Sequence, residues 1–545
     1  MESFSSLKQQ SWLSWFLKGV VILGGFIMIS RLTELQIIKG GYFRSLAEGN
    51  RIRRVSITAP RGEILARGGE VLVGNKEVKK KVVFDPEEGY EKLDDLKGAS
   101  NDEIISEWVR DYKLGAAFAH VGGYLGETGP DEVGKVNAEC PKKGIRSLGS
   151  LIGRSGLEQQ YECTLRGVNG EELIEVDNSG KKIRILGRLE PIPGEDLRTF
   201  INYSLQKKVS ELLEDKPGAI VVTDTDGQVL ALYSSPSFNP NIFVNKGAAD
   251  KVEAVLNDKS LPMFNRAISG LFPPGSVFKP VVAVAALEEG EIDKDFVYDD
   301  PGQITISTLY GKFTYSNWYF TQYGRKEGKI GLVRAITRST DTFFYRIGEK
   351  TGIEKLEYWA SKFGLDKKTG VDIPGEIAGL VPNPDWKLRT RGERWFLGNT
   401  YHISIGQGDM GLTPLGVNQA VSAIAAGAKL CSPSLAKEPE CKTLSVSEDN
   451  LEIVIEGMIG ACSQGGTAFP FFDFEEKSGI SVACKTGTAE TGEEDKTHAW
   501  LSAFGPVDFP EIVVTVLVEK GGEGSSVAGP IAREIFDFWF VEGND

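Results

Sequence analysis

Histidine is scarce in this 545-residue chain. Only His120, His402 and His498 occur, far apart and without the HExxH spacing of a zinc hydrolase. The six cysteines, Cys140, Cys163, Cys431, Cys441, Cys462 and Cys484, contain no CxxC pair, which speaks against a zinc ribbon. Cys431 and Cys441 bracket a loop holding Pro433 and Pro439 and can bridge in an oxidising compartment; six buried thiols are an equal alternative. Positive charge is also short. Lys and Arg number 62 against 76 Asp and Glu, so the chain carries −14 and repels phosphate backbones. No nucleic-acid partner is expected. There is no internal repeat, no low-complexity tract and only one long apolar run. An apolar content of 41% with 25% charge excludes a collagen-like or largely disordered chain.

The apolar run is residues 12–30, WLSWFLKGVVILGGFIMIS, about the length that crosses a bilayer as a helix. Lys18 lies near its amino-terminal end, where the stem can snorkel, and Trp12 and Trp15 suit the interfacial belt. No small-residue cleavage site follows, so the segment reads as an uncleaved anchor in the lipid bilayer behind a tail of residues 1–11. Flank charge taken alone, with Arg31, Lys39, Arg44, Arg51, Arg53 and Arg54 downstream, would place the long part inside.

Residues 31–215 mix short β-like runs, turns and charged segments. The stretches around Arg61-Gly62 and Gly156-Leu157-Glu158 read as scaffold. From residue 216 the pattern sharpens. Gly218–Thr223 and Val229–Tyr233 read as strands around an Asp226-Gly227 turn. Ile480–Thr488, His498–Phe504 and Ile512–Glu519 read as three more strands, and Gly529–Phe540 as a closing helix. Helical segments lie between the strand groups, among them Val281–Glu289, stopped by Gly290. This predicts an α+β domain whose antiparallel sheet is assembled from its two ends, with helices on both faces.

Ser-x-x-Lys places a hydroxyl and an amine on one helical turn. Five matches occur, starting at Ser5, Ser179, Ser204, Ser276 and Ser434. Ser5 precedes the apolar run, Ser179 reads as a turn, Ser204 sits in a polar helix and Ser434 in the Pro-containing loop. Ser276 alone follows a Pro273-Pro274-Gly275 break and precedes an apolar helix. A helix starting near Val277 leaves the missing N–H of Pro280 among the first four orphan donors. Ser276 then stands at a helix amino terminus, where negative charge is favoured, and burial would depress the pKa of Lys279. Ser339-Thr340-Asp341 is a second element, although Asp341 also reads as a helix N-cap. Lys485-Thr486-Gly487-Thr488, at the end of an apolar strand, offers a cation, two hydroxyls and an unhindered backbone to an anionic, extended peptide end. A lysine-blunted edge strand is the plain alternative.

Ser-x-x-Lys, Ser-x-Asp and Lys-Thr-Gly, in that order, are close to the signature of penicillin-binding proteins and class A β-lactamases. The chain resembles the class B penicillin-binding proteins, specifically their penicillin-binding protein 2 (cell-elongation) branch. The resemblance extends through Asn50-Arg51-Ile52-Arg53, Ala59-Pro60-Arg61-Gly62, Pro236-Ser237-Phe238-Asn239-Pro240-Asn241, Ile405-Gly406-Gln407-Gly408 and His498-Ala499-Trp500. Ala66-Arg67-Gly68-Gly69 and Thr199-Phe200-Ile201-Asn202 depart from its usual pattern.

The resemblance implies a peptidoglycan D,D-transpeptidase on an elongated β-rich pedestal, residues 31–215, with its catalytic domain in 216–545 outside the cell membrane. It overrides the flank charges. It implies Ser276 as nucleophile, Lys279 as general base, Ser339 and Lys485 as a proton relay and Asp341 as an orienting group. Thr486, Gly487 and Thr488 would bind the substrate. Stem peptides and β-lactam antibiotics are the implied ligands. A membrane-embedded glycan polymerase and an elongation scaffold are the implied partners. Some relatives hold zinc just before Ser-x-Asp; residues 299–338 carry Asp299 and Asp300 but no His or Cys, so no metal and no cofactor are expected. Rival readings are a D,D-carboxypeptidase or β-lactamase-like hydrolase, which needs a glutamate to activate water, and a non-catalytic β-lactam-binding scaffold.

Overall fold

In the computed structural model, residues 12–85, 89–93, 96–97, 104–132, 140–143, 148–177, 182–214, 216–245, 247–308 and 311–543 are described. The tail 1–11, with its Ser5 match, and the turn at Ser179 lie outside them.

The chain divides into two compact units, and the division does not fall at one point in the sequence. The first comprises residues 1–60, 77–108 and 168–193. Its apolar run forms helix α1 (Trp12–Thr33), followed by a π turn at Glu34–Ile38 and helix α2 (Gly40–Arg51). The stretch from Trp12 to Ile38 has a mean hydropathy of 1.8 in its most apolar window and buries none of it, so it is long and apolar enough to cross a membrane. Strands β1 (Ile52–Ile57), β2 (Gly170–Val176) and β3 (Lys182–Leu189) follow in an antiparallel sheet of order β1-β2-β3. Arg51 and Arg184 both pair with Glu175 across it.

The second unit comprises residues 61–76, 109–167 and 194–545. Its sheet contains β4 (Gly218–Thr223), β5 (Val229–Ser235), β6 (Ala483–Glu490), β7 (Thr497–Gly505) and β8 (Ile512–Val518). The order is β5-β4-β8-β7-β6, antiparallel throughout, so the two sequence-distant strand groups merge with β6 at one edge. All residues of β4, β5 and β8 are buried. That explains why they read as continuous apolar runs rather than as alternating ones.

Between the strand groups run α3 (Lys279–Glu288), α4 (Leu332–Arg338), α5 (Asp341–Thr351), α6 (Leu397–Ser404) and α7 (Glu448–Cys462); α8 (Ala528–Phe540) closes the chain. One core packs α3, α4, α5 and α7 together with Ala483, Ala489, Trp500 and Phe504. A second packs α8 and helix Tyr203–Leu213 against the other face. The architecture is the expected α+β sheet with helices on both faces.

Most boundaries fall within two residues of expectation, and two differences bear on the site. A 3-10 turn at Gly275–Phe278 precedes α3, which begins at Lys279 rather than near Val277. Pro280 then sits in the first helical turn, where it has no intrahelical partner to lose. Strand β6 begins at Ala483, not Ile480, because Gly479 ends the preceding helix in a left-handed turn at φ 73°. All six cysteines pair, as Cys140–Cys163, Cys431–Cys441 and Cys462–Cys484.

Candidate active site

The Ser276 turn is shaped by glycine. Gly275 has φ +58°, and a Cβ there would lie 2.9 Å from the Thr488 carbonyl oxygen on β6. Gly406, just past α6, accepts the Gly275 N–H at 2.9 Å, and a Cβ on Gly406 would overlap the Gly275 carbonyl. Trp500, fully buried on β7, donates Nε1–H to the Pro273 carbonyl at 3.0 Å. Three elements therefore hold one tight turn against the strand edge. The 3-10 geometry eclipses residues three apart, so Ser276 and Lys279 project to the same side.

Lys279 is fully buried and all three of its protons are engaged. They go to the Ser339 carbonyl (2.9 Å), Ser339 Oγ (3.2 Å) and Asp341 Oδ1 (2.6 Å). Ser276 Oγ is not among these acceptors. Ser339 ends α4 in the left-handed region, φ 54° and ψ 39°. Glycine usually fills that position, and a side chain there costs about 1–2 kcal/mol. The conformation turns both the carbonyl and the hydroxyl of Ser339 onto Lys279.

Lys485, also fully buried, donates to Ser339 Oγ at 2.8 Å and to the Thr486 carbonyl at 3.0 Å. One hydroxyl thus lies between two amines, with one carboxylate in contact. Burial pushes Lys279 below its usual range, partly offset by Asp341. Burial, then the neighbouring Lys279, pushes Lys485 further down. Lys485 lacks a carboxylate in contact, so it is the amine that loses its proton more easily.

Asp341 was readable as an N-cap, but it is the first residue of α5 and its carboxylate does other work. Oδ1 takes Lys279 and Oδ2 accepts the Trp318 N–H at 3.2 Å. Behind it, Asn317 Oδ1 accepts the Asp341 N–H at 3.3 Å. Asp300 accepts from Gly302 N (2.8 Å), Thr342 Oγ1 (2.6 Å), Glu327 N (2.9 Å) and Asn317 Nδ2 (3.4 Å). No sequence motif flagged Asn317 or Trp318, and Trp500 stood only as the last residue of His498-Ala499-Trp500, with no role attached. Only the Asn-Trp pair ahead of a short aromatic helix hinted at a cap. Among the described residues no group of three or more His, Cys, Asp or Glu gathers as metal ligands.

On β6, Thr486 Oγ1 meets Thr467 Oγ1 at 2.7 Å, and Thr488 Oγ1 accepts the Gly524 N–H at 3.2 Å. The Thr488 carbonyl takes Gln407 Nε2 at 3.4 Å, off the open edge of the sheet. In an antiparallel strand a residue's N–H and C=O point to the same side, so the Thr488 N–H faces that edge too. Gly487 sits where a Cβ would lie 3.0 Å from Pro274 O, Val277 Cγ1 and Trp500 Cβ. Of the remaining Ser-x-x-Lys matches, Ser204 is exposed on a helix and Ser434 Oγ accepts the Lys437 N–H in a turn; neither joins the site.

The same pattern is found in known proteins. Residues 218–537 match the penicillin binding protein transpeptidase domain, and residues 85–199 the penicillin-binding protein dimerisation domain. Peptidoglycan D,D-transpeptidase MrdA of Acinetobacter baumannii is 31% identical, over 97% of this chain and 87% of its own. A penicillin-binding protein 2 (PBP2) from Helicobacter pylori, solved in complex with MreC, superposes with a TM-score of 0.75 at 28% identity, covering 90% of this chain and 99% of that one. A chain of a peptidoglycan synthase complex, solved for its coordination of polymerization and crosslinking, superposes with a TM-score of 0.74 at 28% identity, covering 96% and 97%. With its buried amines, its open strand edge and these likenesses, the chain belongs to the class B penicillin-binding proteins of the MrdA type, the serine peptidoglycan D,D-transpeptidases.

Proposed function

We propose that Ser276 is the nucleophile that attacks the penultimate carbonyl of a D-Ala–D-Ala stem peptide. Lys279, one turn on, hands one of its three protons through Ser339 Oγ to a neutral Lys485 and, so freed, takes the Ser276 proton. Ser339 Oγ, bonded to both amines, passes protons between Lys279 and Lys485 and on to the departing D-alanine. Asp341 sets the position and charge of Lys279. The N–H groups of Ser276 and Thr488, on the open side of the turn and the strand, receive the oxyanion. Thr486 and Thr488, with Lys485 behind them and Gly487 leaving room, bind the terminal carboxylate. An amine of a neighbouring stem then attacks the acyl-enzyme and closes the cross-link during cell-wall elongation. β-Lactams acylate the same serine because they present a strained amide and a carboxylate in the same places.

The single observation that carries these roles is the convergence of Lys279 and Lys485 on one hydroxyl at 3.2 and 2.8 Å, beside a strand edge that pairs with no other described strand. Helix α1 anchors a single pass through the cell membrane, with residues 216–545 as an extracytoplasmic transpeptidase domain and 31–215 as its pedestal. A membrane-embedded glycan polymerase supplies strands, and an elongation scaffold binds the pedestal. Labelling the full chain with a fluorescent penicillin, followed by peptide mass mapping, tests the assignment. Label should sit on Ser276 and persist. Label surviving Ser276→Ala overturns the nucleophile, and rapid spontaneous release favours a hydrolase.

A further inference from the structure

Strand β6 has an unusual structural problem. It carries Lys485, Thr486 and Thr488, yet among the described residues β7 is the only strand it pairs with. Its other edge has to stay open if an extended peptide is to lie along it. A single ladder fixes register but leaves the strand free to tilt away from the helices on its face.

We infer that the Cys462–Cys484 disulfide is a positioning clip that holds Lys485 against Ser339. Cys484 immediately precedes Lys485, and alternate residues of a strand point to opposite faces, so the clip and the amine lie on opposite sides of β6. Cys484 is fully buried. Its partner Cys462 is the last residue of α7, with a Cα–Cα separation of 5.7 Å. Helix α7 in turn packs backbone-close on α4, which ends in Ser339. A Cβ on Gly457 would lie 2.6 Å from Ile336 Cβ, and one on Gly460 would overlap Thr337 Oγ1. Thr337 also donates its hydroxyl to the Gly457 carbonyl at 3.3 Å.

The result is a closed ring: Ser339, α4, α7, the disulfide, Lys485, and the 2.8 Å hydrogen bond back to Ser339. A second, weaker tie runs alongside. The segment after Cys462 returns to place Thr467 Oγ1 2.7 Å from Thr486 Oγ1. The covalent link spans the step of the ring that has no tight glycine contact of its own. This inference rests on the assignment of Ser339 and Lys485 given above.

The test uses the detergent-solubilised full chain and a fluorescent penicillin, with saturation kinetics separating the noncovalent constant K from the acylation rate constant k2. Two double variants open the clip: Cys462→Ser with Cys484→Ser, and Cys462→Ala with Cys484→Val, which restores apolar volume without the link. Cys431→Ser with Cys441→Ser, in the short hairpin Lys429–Thr443, opens a different disulfide as the comparator. Both clip variants should lose roughly 10–100-fold in k2, the cost of a misplacement of about 1 Å. K should change far less, and the comparator should keep wild-type k2. Wild-type k2 in either clip variant overturns the inference. So does recovery of k2 by the Ala/Val pair alone, since packing then suffices. Should the variants not fold, a phosphine reductant is titrated onto folded wild type, with alkylation of Cys462 and Cys484 followed by mass spectrometry. Unchanged k2 after their reduction also overturns it. A wild type that takes no label at all instead removes the assignment of Ser276, and this inference falls with it.

Discussion

Two clusters of buried charge lie in the larger unit, and they are built on opposite principles. In one, Arg61 and Arg110 meet Glu158 and Glu162. Arg61 contacts Glu158 at 2.8 Å and Glu162 at 2.7 Å, and Arg110 contacts Glu158 at 2.6 Å. Two cations face two anions. Glu158 is held below the usual carboxylate range although burial alone would raise it, because Arg110 and Arg61 outweigh that burial. In the other, two lysines meet one aspartate, and both amines are pushed down rather than up. Balanced pairing produces a scaffold that keeps its protons where they are. Unbalanced pairing produces amines that give up a proton more easily than an ordinary lysine. The stretches around Arg61 and Glu158 therefore read as scaffold for a physical reason, and Lys279 and Lys485 as chemistry for the complementary one.

Substitutions can break or sharpen this contrast. The largest effect belongs to Ser276→Ala, which should abolish penicillin labelling while leaving both charge clusters and the melting temperature intact. Next, Lys485→Met should lower acylation by roughly 10²–10⁴-fold, the range of a positioned acid–base group. The same change should leave stability unchanged or raise it by about 1 kcal/mol, because a desolvated amine is removed. A large loss of stability here would refute the contrast.

Glu158→Gln should do the reverse. It takes the contacting carboxylate from buried Arg110 and one of two from Arg61, and should cost about 3–5 kcal/mol in denaturant unfolding, with labelling per folded molecule unchanged. The folded pKa of Glu158 is depressed, so its contribution is present above the unfolded value of 4.5 and is lost as pH falls through the folded one. The Glu158→Gln chain should lack that part of the acid sensitivity.

Asp341→Asn tests the charge balance within the cleft. Asp341 raises the pKa of Lys279, so its removal should shift the alkaline-rising limb of the acylation rate to lower pH. A limb that moves to higher pH, or stays put, would show that Asp341 acts by shape alone. The smallest effect is expected of Trp500→Phe. It removes one hydrogen bond to the Ser276 turn, worth about 1 kcal/mol, and should slow acylation about fivefold.

Elements fixed by local pattern could be read in advance, and those fixed by distant contacts could not. Strands β4 and β5 are all-buried runs, and their edges fall within two residues of the expected ones. The apolar helix α1 was equally legible, because length and hydropathy are local properties. The start of α3 was not, because Pro280 is compatible with either a 3-10 or an α turn and the contact with Gly406 decides between them. Asp341 was ambiguous for a similar reason. A carboxylate at a helix start caps that helix unless a cation competes for it, and here Lys279 does.

What the sequence by itself determined is the set of chemical groups and their local geometry. A serine and a lysine three apart after a glycine break, a Ser-x-Asp and a Lys-Thr-Gly are legible because they depend on neighbours in the chain. Only the tertiary structure decided that Ser339 adopts a left-handed conformation, that two amines share its hydroxyl, and which cysteines pair. The shared hydroxyl depends on contacts 60 and 146 positions apart, Lys279 with Ser339 and Ser339 with Lys485, and the cysteine pairs span 10 to 23 positions. Local propensity carries no information about them; closure of the sheet and packing of α4 against α7 bring these groups together.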